Sequence, residues 1–196
     1  MKKIFCPRWM ASVLLTAMSL PAPAALKEGE PAPDFQAQAS QAGRAFGYSL
    51  QDALKKGPVV VYFYPSAFTG GCNLQAHGFA VNVDKFAAAG ASVIGVSLDS
   101  IQRLNDFSAD PESCAGKIPV ASDAEGRIAR SYQLAVSETP AGRRDTRGQA
   151  IDHARAERVT FVVTPDRKIA AVVGGVSPDE NVQSALLAVQ KLAAAR

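Results

Sequence analysis

The segment 59–64 (VVVYFY) constrains this chain more than any other. Six β-branched and aromatic residues run without a polar break, Pro65 closes the run, and a short glycine-containing loop leads to Cys72 at the head of a helical pattern. A strand apolar on both faces has to be covered on both faces, which places it in the middle of a sheet flanked by helices. A second run of this kind, 91–98 (ASVIGVSL), follows one helix later. Between them, 72–89 has helical character, with Phe79, Val83 and Phe86 on one side and Gly90 as a stop. Ser49 opens a helical turn before Gly57-Pro58, and weak extended signals precede it. Asp99-Ser100 opens a helix carrying Ile101, Leu104 and Phe107 that ends before Pro111. A short strand at 118–121, a turn at 123–126 and a helix at 127–132 come next. Residues 137–157 are polar and arginine-rich, and read as a surface loop. Strands at 159–163 and 168–173 flank a Thr164-Pro165-Asp166-Arg167 turn, a hairpin signal, and an amphipathic helix covers 179–195. The order implies an α/β fold: a mixed central sheet with helices on both faces, in one domain spanning 25–196.

The first 24 residues read as an address. Basic residues at 1–9, an apolar run of about eleven residues at 10–20 and Pro21-Ala22-Pro23-Ala24 form the layout of a secretory signal cleaved after Ala24, the apolar run being too short to cross a bilayer. The expected location is periplasmic or secreted, with no membrane span in the mature protein. The formal charge of +3 belongs to this signal: without Lys2, Lys3 and Arg8, 18 of the 21 basic residues remain against 18 acidic ones. A neutral body carries no electrostatic footprint for nucleic acid. Cys6 departs with the signal, leaving Cys72 and Cys114, which in an oxidising compartment could pair. Their separation of 42 residues is neither a CxxC redox motif nor a metal-ligand spacing, and with His77 and His153 as the sole histidines no zinc site is expected.

Open α/β sheets hold their sites beyond the carboxyl ends of the strands, which is where Cys72 falls. A helix start offers free N–H groups and a positive dipole end that favour thiolate over thiol. From these features alone Cys72 is either a reactive nucleophile or a small buried hydrophobe.

Pro65-x-x-x-Thr69-x-x-Cys72 resembles the active-site signature of the peroxiredoxins (AhpC/TSA-like thiol peroxidases), and the resemblance continues in order along 31–173. Residues 31–35 (PAPDF) look like the family's N-terminal entry, 93–99 (VIGVSLD) and 118–123 (IPVASD) like its following strands, and 158–161 (RVTF) like the strand carrying its active-site arginine. The resemblance implies a thioredoxin-like fold and a thiol-dependent peroxidase that reduces hydrogen peroxide or organic hydroperoxides without a cofactor or metal. Cys72 would attack the terminal peroxide oxygen and become a sulfenic acid. Thr69 would hydrogen-bond thiolate and peroxide, Arg158 (with Arg155 a nearby competitor) would stabilise both, and Pro65 would shield the pocket. Asn73 and Gln75 depart from the family's frequent Thr and Glu, which removes a carboxylate partner from Arg158.

Within the family the pattern is similar to the Q-type, bacterioferritin-comigratory-protein group. That likeness implies a monomer or weak dimer, a thioredoxin-like thiol donor as reductant, and Cys114 as an intramolecular resolving cysteine, reached by local unwinding. The stretch 143–155 resembles an insertion atypical of the family and is expected to be a solvated loop, its arginines otherwise suiting anionic peroxides or a partner. His77 is expected to be structural or exposed. Two other classes compete: an exported thiol–disulfide oxidoreductase, disfavoured because Gly70-Gly71-Cys72 lacks the first cysteine of CxxC, and a non-enzymatic redox sensor.

Overall fold

The computed structural model describes residues 25–195, so the signal expected in residues 1–24 lies outside the described part. A hairpin of β1 (Gln36–Gln41) and β2 (Arg44–Ser49) leads through α1 (Leu50–Leu54) into β3 (Val59–Phe63). Then come α2 (Gly70–Val81), α3 (Val83–Ala88), β4 (Ser92–Ser97), α4 (Ile101–Ala109), β5 (Val120–Ser122) and α5 (Arg127–Ser131). The chain closes with β6 (Val136–Ser137), β7 (Arg155–Ala156), β8 (Val159–Val163), β9 (Ile169–Gly174) and α6 (Pro178–Ala194).

Seven strands form one sheet in the order β2-β1-β5-β4-β3-β8-β9, with β3, β4 and β5 parallel and the remaining pairings antiparallel. The apolar run explains why β3 is central. Strand side chains alternate between faces: Val60, Tyr62 and Tyr64 enter the apolar layer beneath α2, α3, α4 and α6, whereas Val59, Val61 and Phe63 enter the opposite layer with Leu50, Leu54 and Tyr132. Rings link much of the first layer. Phe68 meets Phe107 at 5.1 Å between centroids, Phe107 meets Tyr64 at 5.7 Å, Tyr64 meets Tyr62 at 5.4 Å, and Tyr62 stacks on Phe79 at 4.5 Å. Gly95, opposite Tyr62 in the β3–β4 register, leaves room for this stack, since a Cβ there would stand 2.5 Å from Tyr62 Cζ.

Two expectations need correction. The helix expected over 72–89 begins at Gly70 and is broken at Asn82, whose side-chain amide donates to Gly78 O at 2.8 Å and competes with the helix backbone. The segment 137–157 is a surface loop, as expected, but an ordered one that is tied to the body. Its ends pair as the two-stranded sheet β6–β7, Arg144 and Ala150 bridge within it, and Asp145 and Ile151 are buried. Among the described residues, no helix is long and apolar enough to cross a membrane, and no three of His, Cys, Asp or Glu cluster as metal ligands.

Candidate active site

Between β3 and α2 the chain turns through Pro65 to Thr69, and Cys72 falls in the first turn of α2. Phe68 takes the left-handed conformation at φ 57°, one that a bulky residue adopts only when its surroundings enforce it. Those surroundings centre on Asp99, a buried carboxylate just beyond β4. It accepts from Ala67 N at 2.8 Å, Ser66 Oγ at 3.2 Å and Ser97 Oγ at 2.7 Å. Arg103 Nε at 2.8 Å and His153 Nε2 at 2.9 Å complete the shell. Burial, the largest influence, works against the Asp99 carboxylate, yet the bond and charge of His153 with the Ala67 and Ser97 bonds hold it below the usual carboxylate range. His153 Nδ1 lies 2.7 Å from Ala154 O, so both ring nitrogens face acceptors and both are served when the ring is an imidazolium. Burial pulls the His153 pKa down, but the Asp99 bond and charge and the Ala154 carbonyl lift it above the ordinary imidazole value.

The arginine-rich segment grips the same loop. Thr146 donates to Phe68 O through both N–H (2.8 Å) and Oγ1 (2.9 Å), and the Arg147 guanidinium lies 3.3 Å over the Phe68 ring. Arg103 joins the parts, bonding Ala67 O at 3.0 Å and Asp145 Oδ2 at 2.8 Å. Sequence reasoning missed this clamp. Its signal, alternating Arg, Asp and His, is also that of a solvated surface.

Arg158, at the start of β8, is the arginine that reaches the sulfur, its Nη2 standing 3.3 Å from Cys72 Sγ. Gly71 makes the approach possible, because a Cβ there would sit 3.3 Å from Nη2. Nη1 donates to Gly71 O and to Gln75 Oε1. The expectation that Gln75 deprives Arg158 of a partner is incomplete: the Gln75 amide carbonyl itself holds the guanidinium. Gln75 is itself fixed, donating to Asn181 Oδ1 at 2.8 Å, and Asn181 also accepts from Thr160 Oγ1 at 2.6 Å and donates to Val173 O at 3.0 Å. This buried relay from α2 to α6 was invisible in the sequence. A neutral holder leaves the guanidinium charge unopposed at the sulfur.

A cavity of about 240 Å³ is lined by Cys72 together with Pro65, Thr69, Arg158, Arg143, Ile151 and Arg155. Cys72 is 1% exposed. The Thr69 hydroxyl donates to Ser66 O at 2.9 Å, so its proton is not aimed at the sulfur as expected; its lone pairs are left to accept from a peroxide O–H. A larger cleft, about 830 Å³ between α1 and the β8–β9 turn, is lined by neither Cys nor His. His77 is exposed on α2, away from these groups.

Cys114 lies in the turns after α4, a free thiol fully buried in the same apolar layer as Cys72. Burial pushes its pKa well up and the Asp110 charge adds to this, against a smaller opposing influence of the Tyr62 hydroxyl. The Tyr62 hydroxyl, buried without a nitrogen or oxygen partner, is raised by burial first and then by the two neighbouring sulfurs, Cys114 and Cys72.

Comparison with known proteins agrees with this geometry. The family model described as AhpC/TSA family matches residues 29–172. A Mycobacterium tuberculosis protein named as a peroxiredoxin is 31% identical over 162 residues, covering 82% of this chain and 94% of the relative. Peroxiredoxin Bcp of Escherichia coli is 31% identical over 111 residues, covering 57% of this chain and 64% of that one. Among solved structures, peroxidoxin BcpB from M. tuberculosis superposes with a TM-score of 0.71 at 28% identity, covering 85% of this chain and 98% of that chain. The sheet, the cysteine beyond its central strand and the extent of these matches agree, and the chain belongs to the AhpC/TSA family: it is a peroxiredoxin, a thiol-dependent peroxidase on a thioredoxin-like fold.

Proposed function

We propose that Cys72 is the peroxidatic nucleophile and Cys114 its intramolecular resolving partner. The observation that carries the first assignment is the Arg158 guanidinium 3.3 Å from Cys72 Sγ in the cavity that both line. The thiolate attacks the terminal oxygen of a hydroperoxide, the S–O bond forms as O–O breaks, and the departing alkoxide or hydroxide takes a proton. The hydroperoxide gains two electrons and the cysteine becomes a sulfenic acid. Arg158 is aimed where negative charge moves from sulfur to the leaving oxygen, and Thr69 accepts from the peroxide O–H. Pro65 carries no proton chemistry and closes one wall.

In the second step Cys114 attacks the sulfenic sulfur, releasing water and forming the disulfide that an external thiol donor, a thioredoxin-like protein, then reduces. A buried thiol whose pKa is pushed up has to leave its apolar seat before it is a competent nucleophile. The turns around it support such a movement, with Ala115 held at φ 50°. A disulfide-oxidoreductase role is not favoured, because the residue three before Cys72 is Thr69. We further propose that residues 1–24 are an export signal and that the enzyme works in the periplasm or outside the cell; an intact Met1 on protein recovered from the periplasmic fraction would contradict this.

The test is one equivalent of hydrogen peroxide followed by mass spectrometry. Wild type should yield a Cys72–Cys114 disulfide within one chain. Cys72→Ser should consume no peroxide while staying folded. Cys114→Ser should reduce one equivalent, halt as a sulfenic acid that over-oxidises readily, and lose turnover with a disulfide reductase. Undiminished sustained turnover in Cys114→Ser would remove Cys114 from the cycle.

A further inference from the structure

The arginines of the clamp segment and its neighbours fall into two sets. Arg103 and Arg147 are spent on structure, paired with Asp99, Asp145 and Asp106. Arg143 and Arg155 have no carboxylate within ion-pair distance among the described residues, and both line the cavity with Cys72. Arg143 is exposed, and Arg155 makes one side-chain bond, Nε to Ser137 Oγ at 3.3 Å. No acidic residue lines this cavity; Glu138 and Asp152 border the adjoining depression beyond Arg143. Unpaired guanidiniums beside a concave site whose walls also include Pro65 and Ile151 suit a ligand with an apolar body and an anionic end.

We propose that Arg143 and Arg155 are specificity-determining residues that hold the carboxylate of an anionic organic hydroperoxide while its peroxide end reaches Cys72. The inference rests on the reading of Cys72 as the peroxidatic nucleophile and adds to it the class of substrate. Arg158 remains with the sulfur and the peroxide, so the two ends of the substrate meet different cations. The chemical step is the one given above: Cys72 Sγ bonds to the terminal oxygen, the O–O bond breaks, the thiolate is oxidised to sulfenic acid, and the hydroperoxide is reduced to the corresponding alcohol after taking a proton from water. The carboxylate is unchanged throughout. A small molecule fits the position better than an acidic protein partner, because both cations line the same cavity of about 240 Å³ as Cys72.

The experiment uses the wild-type mature protein and two probes of matched shape, cumene hydroperoxide and its para-carboxylate derivative. Rapid quenching and mass spectrometry give the rate constant for Cys72 oxidation by each. The carboxylate probe should react about tenfold faster at low ionic strength, with the preference shrinking as salt is added. In the Arg143→Gln/Arg155→Gln double variant the ratio of the two rate constants should fall to about one, whereas Arg143→Lys/Arg155→Lys should keep most of it, as charge attraction requires. Because the ratio is taken within one protein, a change in the folded fraction cancels. Equal rates in wild type, or a preference that survives the double Gln variant, would overturn the proposal. If wild-type Cys72 is oxidised by neither probe nor by hydrogen peroxide, the nucleophile assignment itself falls.

Discussion

Cys72 and Cys114 share one apolar layer and are almost equally buried, yet the charges beside them differ in sign. Cys72 sits at a helix start, has a guanidinium at 3.3 Å and lines a cavity. Cys114 has the Asp110 charge and a pKa raised by burial. Burial therefore does not sort reactive thiols from quiet ones; the sign and aim of the nearest charges do. Under the two-cysteine cycle proposed above, the contrast divides the labour: the thiol beside the guanidinium meets the peroxide, and the other, its pKa raised by burial, waits for its segment to open.

Removing the cation from the first seat should do most to erase the contrast. Arg158→Ala is expected to slow sulfenic-acid formation by about 3 kcal/mol, roughly 100-fold, as for loss of one preorganised charge donor. Stopped peroxide consumption under single-turnover conditions measures it, and a change under threefold would mean that Arg158 does not act on the reacting atoms. A smaller effect should follow from Asn181→Ala, which leaves Gln75 Nε2 and Thr160 Oγ1 buried without their acceptor. About 1–3 kcal/mol of stability should be lost, with a slower peroxide step as Arg158 loosens. Unfolding in denaturant gives the first quantity, and wild-type stability in this variant would show that the relay carries no load.

The smallest expected effect is a pH dependence in how firmly the Cys72 loop is held. The folded-state pKa of His153 is raised, so its contribution is full below the ordinary imidazole value and is lost as pH rises through the folded value. Asp99 is lowered, so its contribution is present above the ordinary carboxylate value and fails in acid. The clamp should be tightest between those two limits. Raising the pH from about 6 to 9 should cost wild type about 1–2 kcal/mol more than His153→Gln, in line with a hydrogen bond between charged groups. Parallel pH profiles of the two melting temperatures would refute the role assigned to this histidine.

The parts of this molecule legible in its sequence are those written in short range. The run in β3 announces its central place because both alternating sets of side chains are apolar, and Pro65, Thr69 and Cys72 lie within eight residues of one another. Arg158 was reached through the strand that follows it. The Gln75–Asn181–Thr160 relay was not legible, because three polar residues on α2, α6 and β8 have no spacing that betrays a meeting. The clamp was misread for a different reason. Arg147 and His153 look solvated until Phe68 and Asp99, brought from far along the chain, turn out to be what they hold.

The ring contact between Phe68 and Phe107 has a mechanical consequence. Phe68 belongs to the loop that carries Cys72, and Phe107 sits on the last turns of α4, seven residues before Cys114. Edge-to-face rings at 5.1 Å attract one another by about 1 kcal/mol beyond their burial, which couples the two segments. In the proposed cycle, a displacement that draws Cys114 out of the core would pull on the Cys72 loop, and whatever tightens the grip on Phe68, Arg147 and Thr146 included, would delay the release of the distant thiol.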